Sequence, residues 1–249
     1  MRLSIKSVLS TLILLLPATI ASAQVTAPLP PADEVVARMM QLDAQRQSDL
    51  TGYTATRRYV AVNKKRHAEM LVRVECTRDG AKQFVVLSQE GSGAIRKHVF
   101  EKLLSEETEA SRRGTRNSSR LTPANYDFQV VGQETLPTGR AYVLEASPKT
   151  ANKYLINGKI WVDANDYSIV RIEGQPARNP SFWVHSVHFV HTYQKVGQFW
   201  FASSTDTTSQ IRIFGESELT IENSDYKLNP RDKSTTTSIE LNSEARLAQ

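Results

Sequence analysis

The 249-residue sequence contains a single cysteine, Cys76, so no disulfide can form within one chain. In LVRVECT, Val72, Val74 and Cys76 alternate with Arg73, Glu75 and Thr77. Period two puts the thiol on the apolar face of a strand, not in the exposed electropositive setting that a reactive thiol needs. Catalytic signatures are missing as well. There is no Gly-x-Ser-x-Gly elbow, no Gly-rich phosphate loop and no His-Glu-x-x-His. Asp163 and Asp166, in WVDANDYS, read as turn residues that hydrogen-bond the backbone and not as an acid–base pair. No enzymatic activity, cofactor or metal is therefore expected. A strong charge of one sign is also absent: 31 basic residues face 26 acidic ones, too mild a balance to argue for nucleic acid.

The apolar run Val8 to Ile20 is shorter than the roughly 20 residues of a membrane span. Arg2 and Lys6 precede it and Ala21-Ser22-Ala23 follow it, which are the three parts of a secretory signal. Residues 1–23 are expected to be removed, leaving a protein of the periplasm. No cysteine follows the cleavage site to take a lipid. Residues 24–226 show neither a repeat nor a linker rich in Gly, Ser or Pro, so one domain is expected. Residues 227–249 are polar, lack aromatics and are expected to form a mobile tail.

What is present is a long succession of period-two segments between turn residues. About eleven strands are predicted, from GYTATRRYVAV at 52–62 to ELTIEN at 218–223, with FWFASSTD and SQIRIFG counted as two. Asp79-Gly80 predicts a tight reversal, both residues accepting positive φ. Short loops between neighbours imply hairpins and a meander. Two segments change period. EVVARMMQLDAQRQ, with Asp33 as N-cap, carries a stripe of Val36, Met39 and Met40, and a second helix is predicted from Ile95 to Ala110. The fold class is mainly β, α+β.

FWVHSVHFVH, at 182–191, holds His185, His188 and His191 at a spacing that on a helix would suggest a metal site. The β-branched and aromatic residues around them make it a strand instead. His185 and His191 would then lie about 20 Å apart and His188 on the other face, out of reach of one ion. SRRGTRNSSR concentrates Arg112, Arg113, Arg116 and Arg120 without an acid between them, a solvated loop that could also meet an acidic headgroup or a partner protein.

The stretch GKIWVDANDYSIVRIEG, with the later VGQFWFAS and IRIFGESELTIENSDY, resembles the outer-membrane lipoprotein-sorting superfamily. Its branches are a soluble lipoprotein carrier, an outer-membrane acceptor and an anti-sigma-factor-binding sensor (LolA, LolB and RseB). The likeness covers roughly residues 32–226. It implies a curved antiparallel half-barrel with two helices packed as a lid on the concave face, around an apolar cavity that accepts acyl chains. The candidate lining is Met39 and Met40 from the lid and, from the strands, Val72, Val74, Phe84, Val86, Phe128, Val130, Tyr142, Leu144, Ile160, Val162, Val170, Ile172, Ile211 and Ile213. The expected function is a soluble, monomeric carrier or sensor of lipid or acylated lipoprotein, serving an inner-membrane transport or signalling complex. The alternative is a protein-interaction module of the envelope with a filled core.

Overall fold

The computed structural model describes residues 28–112, 119–179, 184–211 and 215–229. The chain starts with helix α1 (Ala32–Asp49), then forms strands β1 (Gly52–Asn63), β2 (His67–Thr77) and β3 (Lys82–Gly91). A second helical segment follows in three stretches: α2 (Gly93–Ile95), a π-helical turn (Arg96–Phe100) and α3 (Glu101–Ser111). The remainder is a meander of β4 (Tyr126–Leu136), β5 (Gly139–Pro148), β6 (Ile156–Asp163), β7 (Ile169–Pro176), β8 (Val184–Val196), β9 (Phe199–Ile211) and β10 (Gly215–Leu228).

The ten strands make one antiparallel sheet in the order β3-β2-β1-β10-β9-β8-β7-β6-β5-β4. The open edges, β3 and β4, are consecutive in the chain, and the second helical segment carries the chain from one to the other. That connection requires the segment to cross a face of the sheet. Laid flat, ten strands would hold the edges about 43 Å apart, far more than the 10–12 Å width of a helix. Yet Glu107 on α3 pairs with Arg57 of β1 and Lys82 of β3, while its neighbour Glu106 lies 3.7 Å from Lys153, beyond β5. The sheet therefore curls around α3, which spans the concave side.

Alternation explains the wall at this end. In β2, Ala68, Met70, Val72, Val74 and Cys76 are buried and their neighbours are not, and Tyr53 and Tyr59 of β1 pair opposite Cys76 and Met70. With Ile95 and Phe100 from the helical segment they form one core. A second core lies under α1, whose Val35, Val36 and Met39 pack on Leu144, Ile160 and Val162 of β5 and β6.

The structure corrects four details. The strands number ten among the described residues, because β9 runs unbroken through Thr205, Thr207 and Thr208, β-branched residues suited to a strand. Helix α1 begins at Ala32 after Pro31, so Asp33 is no cap and lies in the first turn, where its charge meets the positive end of the helix dipole. In the β2–β3 turn only Gly80 takes positive φ, and the Asp79 carboxylate accepts from the Thr77 hydroxyl instead. Val170 faces away from the concave side: a register shift between Trp161 and Val162 gives Ile169 the inward position and places Val170 with Val143 and Trp161. Residues 1–27 and 230–249, which hold the expected signal and most of the expected tail, lie outside the described residues, and β10 itself runs to Leu228.

Candidate functional site

The two cores do not meet. Between them the inward faces of β8, β9 and β10 carry Val187, Phe189, His191 and Tyr193, then Thr207, Leu219 and Ile221, and all of these are only half-buried. The space above them holds three adjoining cavities. The first, about 300 Å³, lies between Ala61 and Ile211 and the helical residues Ile95 and Val99. It shares Val187, Thr207 and Leu219 with a second of about 460 Å³, roofed by Leu103 and flanked by Ile156 and Ile172. That one shares Leu121 and Tyr193 with a third of about 280 Å³ beside Met39 and Met40, where Asp43, Arg46 and Arg120 form a polar mouth. The whole is a trough with an apolar floor, most open to solvent in its middle.

The candidate residues divide accordingly. Met39, Met40, Ile172 and Ile211 border the trough. Val72, Val74, Leu144, Ile160 and Val162 are wholly buried in the two cores and support its walls. Phe84, Phe128, Val130 and Tyr142 pack on those cores from their margins. Val86 pairs with Val72, but it stands on β3, an edge strand among the described residues, and is 47% exposed. Val170 is on the convex face, for the reason given above. Ile213, Arg113 and Arg116 lie outside the described residues. Arg112 makes an exposed pair with Glu109 at the end of its own helix, α3, and Arg120 ties the segment before β4 to Asp43 of α1.

The sequence reading missed Val187, Phe189, Thr205 and Thr207. For β8 the signal lies in the sequence: Val187, Phe189, His191 and Tyr193 are spaced by two and so share one face of a strand. Of these, His188 is outward beside Glu173 of β7 and His191 is inward beside Thr205 of β9. Among the described residues no group of three His, Cys, Asp or Glu gathers to hold a metal ion, and no helix is long and apolar enough to cross a membrane.

One polar network sits at the margin of the trough. Arg57, 6% exposed, donates from Nε to the Asn223 carboxamide oxygen at 2.6 Å and from Nη1 to the Tyr59 hydroxyl at 3.1 Å and to Glu107. Lys82 Nζ donates to the other Glu107 oxygen at 2.8 Å. Burial alone would raise the Glu107 pKa, but the two cations outweigh it and hold it at about 2. Burial lowers His191 from 6.5 to about 4, with Glu107 acting against that and Lys82 and Arg57 with it. Both shifts predict acid sensitivity, in different windows. Unfolding lets His191 take up a proton between pH 6.5 and 4, so stability falls on acidification through that range, by about 1–3 kcal/mol. Glu107 adds its own loss from pH 4.5 down towards 2. Urea midpoints at pH 7, 5.5 and 4.5 check the first window: wild type should lose stability there and His191→Leu should lose clearly less.

A scan of protein-family models returns no match, and no curated protein matches in sequence. Among solved structures the chain is similar to an outer membrane lipoprotein-sorting protein domain from Vibrio parahaemolyticus, with 13% identity and a TM-score of 0.46, over 81% of this chain and 95% of that one. It is similar to a DUF1329 family protein from Desulfovibrio piger, with 13% identity and a TM-score of 0.44, over 81% and 94%. A LolA superfamily protein from Nitrosomonas europaea matches with 9% identity and a TM-score of 0.37, over 83% and 97%. At these identities the likeness is one of fold alone.

Proposed function

We propose that this protein is a non-catalytic carrier or sensor of the periplasm that holds an acyl chain, free or attached to a lipid or lipoprotein, in the trough across β8–β10. The observation that carries the reading is that packing stops short. Phe189, Leu219 and Ile221 point inward yet stay half-buried, although α1 and α3 cover the walls on either side. Each methylene moved from water into such a space contributes about 0.8 kcal/mol, so a chain of modest length gains useful affinity without polar contacts. Cavities of this size fall within the range of small-ligand sites. The protein acts as a monomer that hands its cargo to, or reports it to, a membrane complex. Native mass spectrometry of protein purified from the periplasm, followed by organic extraction, tests this. A bound mass of lipid size, lost in detergent, is the expected result. A clean apo mass together with failure to bind fluorescent fatty acids would overturn it.

One observation favours a second reading, a protein-interaction module. Edge strand β3 exposes Val85, Val86 and Leu87, each 46–47% accessible, beside backbone groups that no strand pairs among the described residues. An extended partner segment could add to that edge. The same mass spectra separate the two readings, because a module of this kind retains no lipid.

A further inference from the structure

The trough is apolar along most of its length, with one interruption. Where the second and third cavities meet, His191 and Tyr193 point into it from β8, with ring centroids 5.6 Å apart. Thr205 of β9, 9% exposed, holds its hydroxyl 2.8 Å from His191 Nδ1. The Tyr193 hydroxyl has no hydrogen-bond partner among the described residues, and His191 has none besides Thr205. Both residues are half-buried, so their polar atoms face the open trough, where a ligand oxygen can take the place of water. Filling these positions with Phe and Val would have given a smoother trough for a plain hydrocarbon.

Resting on the acyl-chain reading above, we propose that His191 and Tyr193 anchor a carbonyl oxygen, so that the trough takes acyl groups in one direction. In this arrangement Nδ1 accepts from the Thr205 hydroxyl and the imidazole proton sits on Nε2, so that Nε2–H and the Tyr193 O–H are the two donors to one acceptor. The surroundings favour an acceptor oxygen, since Arg57 and Lys82 outnumber Glu107 among the nearby charges. With the carbonyl at His191, the hydrocarbon tail runs past Phe189 and Val187 towards Ile95. The span from Val187 to Tyr193 is about 20 Å at 3.3 Å per residue, room for a long chain. Whatever the carbonyl is bonded to then lies towards the third cavity, beside the Asp43–Arg120 ion pair.

The shared chemistry is an acyl carbonyl, supplied either by a free fatty acid or by the ester of a lipid. Displacement of a bound fluorescent dye by hexadecanoic acid, methyl hexadecanoate and hexadecane, in wild type and Tyr193→Phe, tests the anchor. His191→Leu serves as a second variant, and circular dichroism confirms that each is folded. Losing one such hydrogen bond should weaken binding about five- to tenfold. The expected result is that loss for acid and ester, with hexadecane changed less than about twofold. A loss confined to the acid identifies the free fatty acid as the source, and a loss in both identifies the acyl ester; either supports the anchor. If hexadecane weakens as much as the others, or if acid and ester do not weaken at all, the anchor is overturned while the cavity stands. If none of the three displaces dye from wild type, the acyl-chain reading itself fails and the anchor with it.

Discussion

Replacing Gly158 by alanine is expected to cost about 3–5 kcal/mol, enough to leave much of the protein unfolded at physiological temperature. Gly158 of β6 and Gly174 of β7 stand directly opposite each other in the sheet. A Cβ at Gly158 would overlap the Glu173 carbonyl oxygen and come within 2.6 Å of the Gly174 Cα, and one at Gly174 would lie 2.5 Å from the Asn157 carbonyl oxygen. Ordinary overpacking costs about 1–3 kcal/mol because side chains rearrange. Here the obstacle on each side is backbone, so the two strands must part, and β6 carries the buried Ile160 and Val162 on which α1 rests. Urea unfolding measures the effect, and the midpoint should drop by more than about 1 M with an unchanged slope. Gly132→Ala is the internal control. Nothing lies within 4 Å of a Cβ there, so a change under about 0.5 kcal/mol is expected. Equal midpoints for Gly158→Ala and Gly132→Ala would refute the close-approach argument.

The second large effect is expected from Glu107→Leu. It leaves the Arg57 guanidinium buried with only the Asn223 oxygen and the Tyr59 hydroxyl for company, and deprives Lys82 of its carboxylate as well. Breaking a buried pair typically costs about 3–5 kcal/mol. The Glu107 side chain is 29% exposed and solvent relieves part of that, so a loss of about 2–4 kcal/mol is expected. Removing both charges, as Arg57→Met with Glu107→Leu, should recover most of the loss, since the buried guanidinium is then gone and the Lys82 ammonium, 27% exposed, can turn to water. The single and double variants in one urea series measure the coupling. Simple addition of the two single losses would mean that the pair is not coupled. In Glu107→Leu, amide exchange should also quicken along Glu101–Ser111, because the helix loses its fastening to β1 and β3.

Much of this architecture could be read from the residues, for identifiable reasons. The strand pattern was legible because nearly every strand buries one face, so Val72, Val74 and Cys76 declare their side through alternation alone. The helices were legible because Val36, Met39 and Met40 break that period. What could not be read was anything that depends on a neighbour. A bulge is a mismatch between two strands, so Val170 looked like an inward residue until its pairing with β6 was known. Val86 looked like core because the sequence does not say that β3 is an edge. Likewise Gly158 and Gly174 are 16 positions apart, and only the hairpin register shows that each excludes a side chain from the other. The trough was the least legible part. It exists because two clusters, built from different helices, fail to merge, and no local pattern records a gap.

The strand order has a kinetic meaning. β1 pairs with β10 through contacts such as Arg57 with Asn223, 166 residues apart, so the sheet closes only across almost the whole chain. A chain made from its amino end first builds the β1–β3 meander early, and β1 then waits with one side unpaired until β10 arrives. Contacts so distant in sequence slow folding and lengthen the exposure of unpaired edges. The strands that line the trough are also the last to be made. The pocket is therefore born in the final step, and a chain shortened before β10 holds two separate sheets with nothing between them to bind.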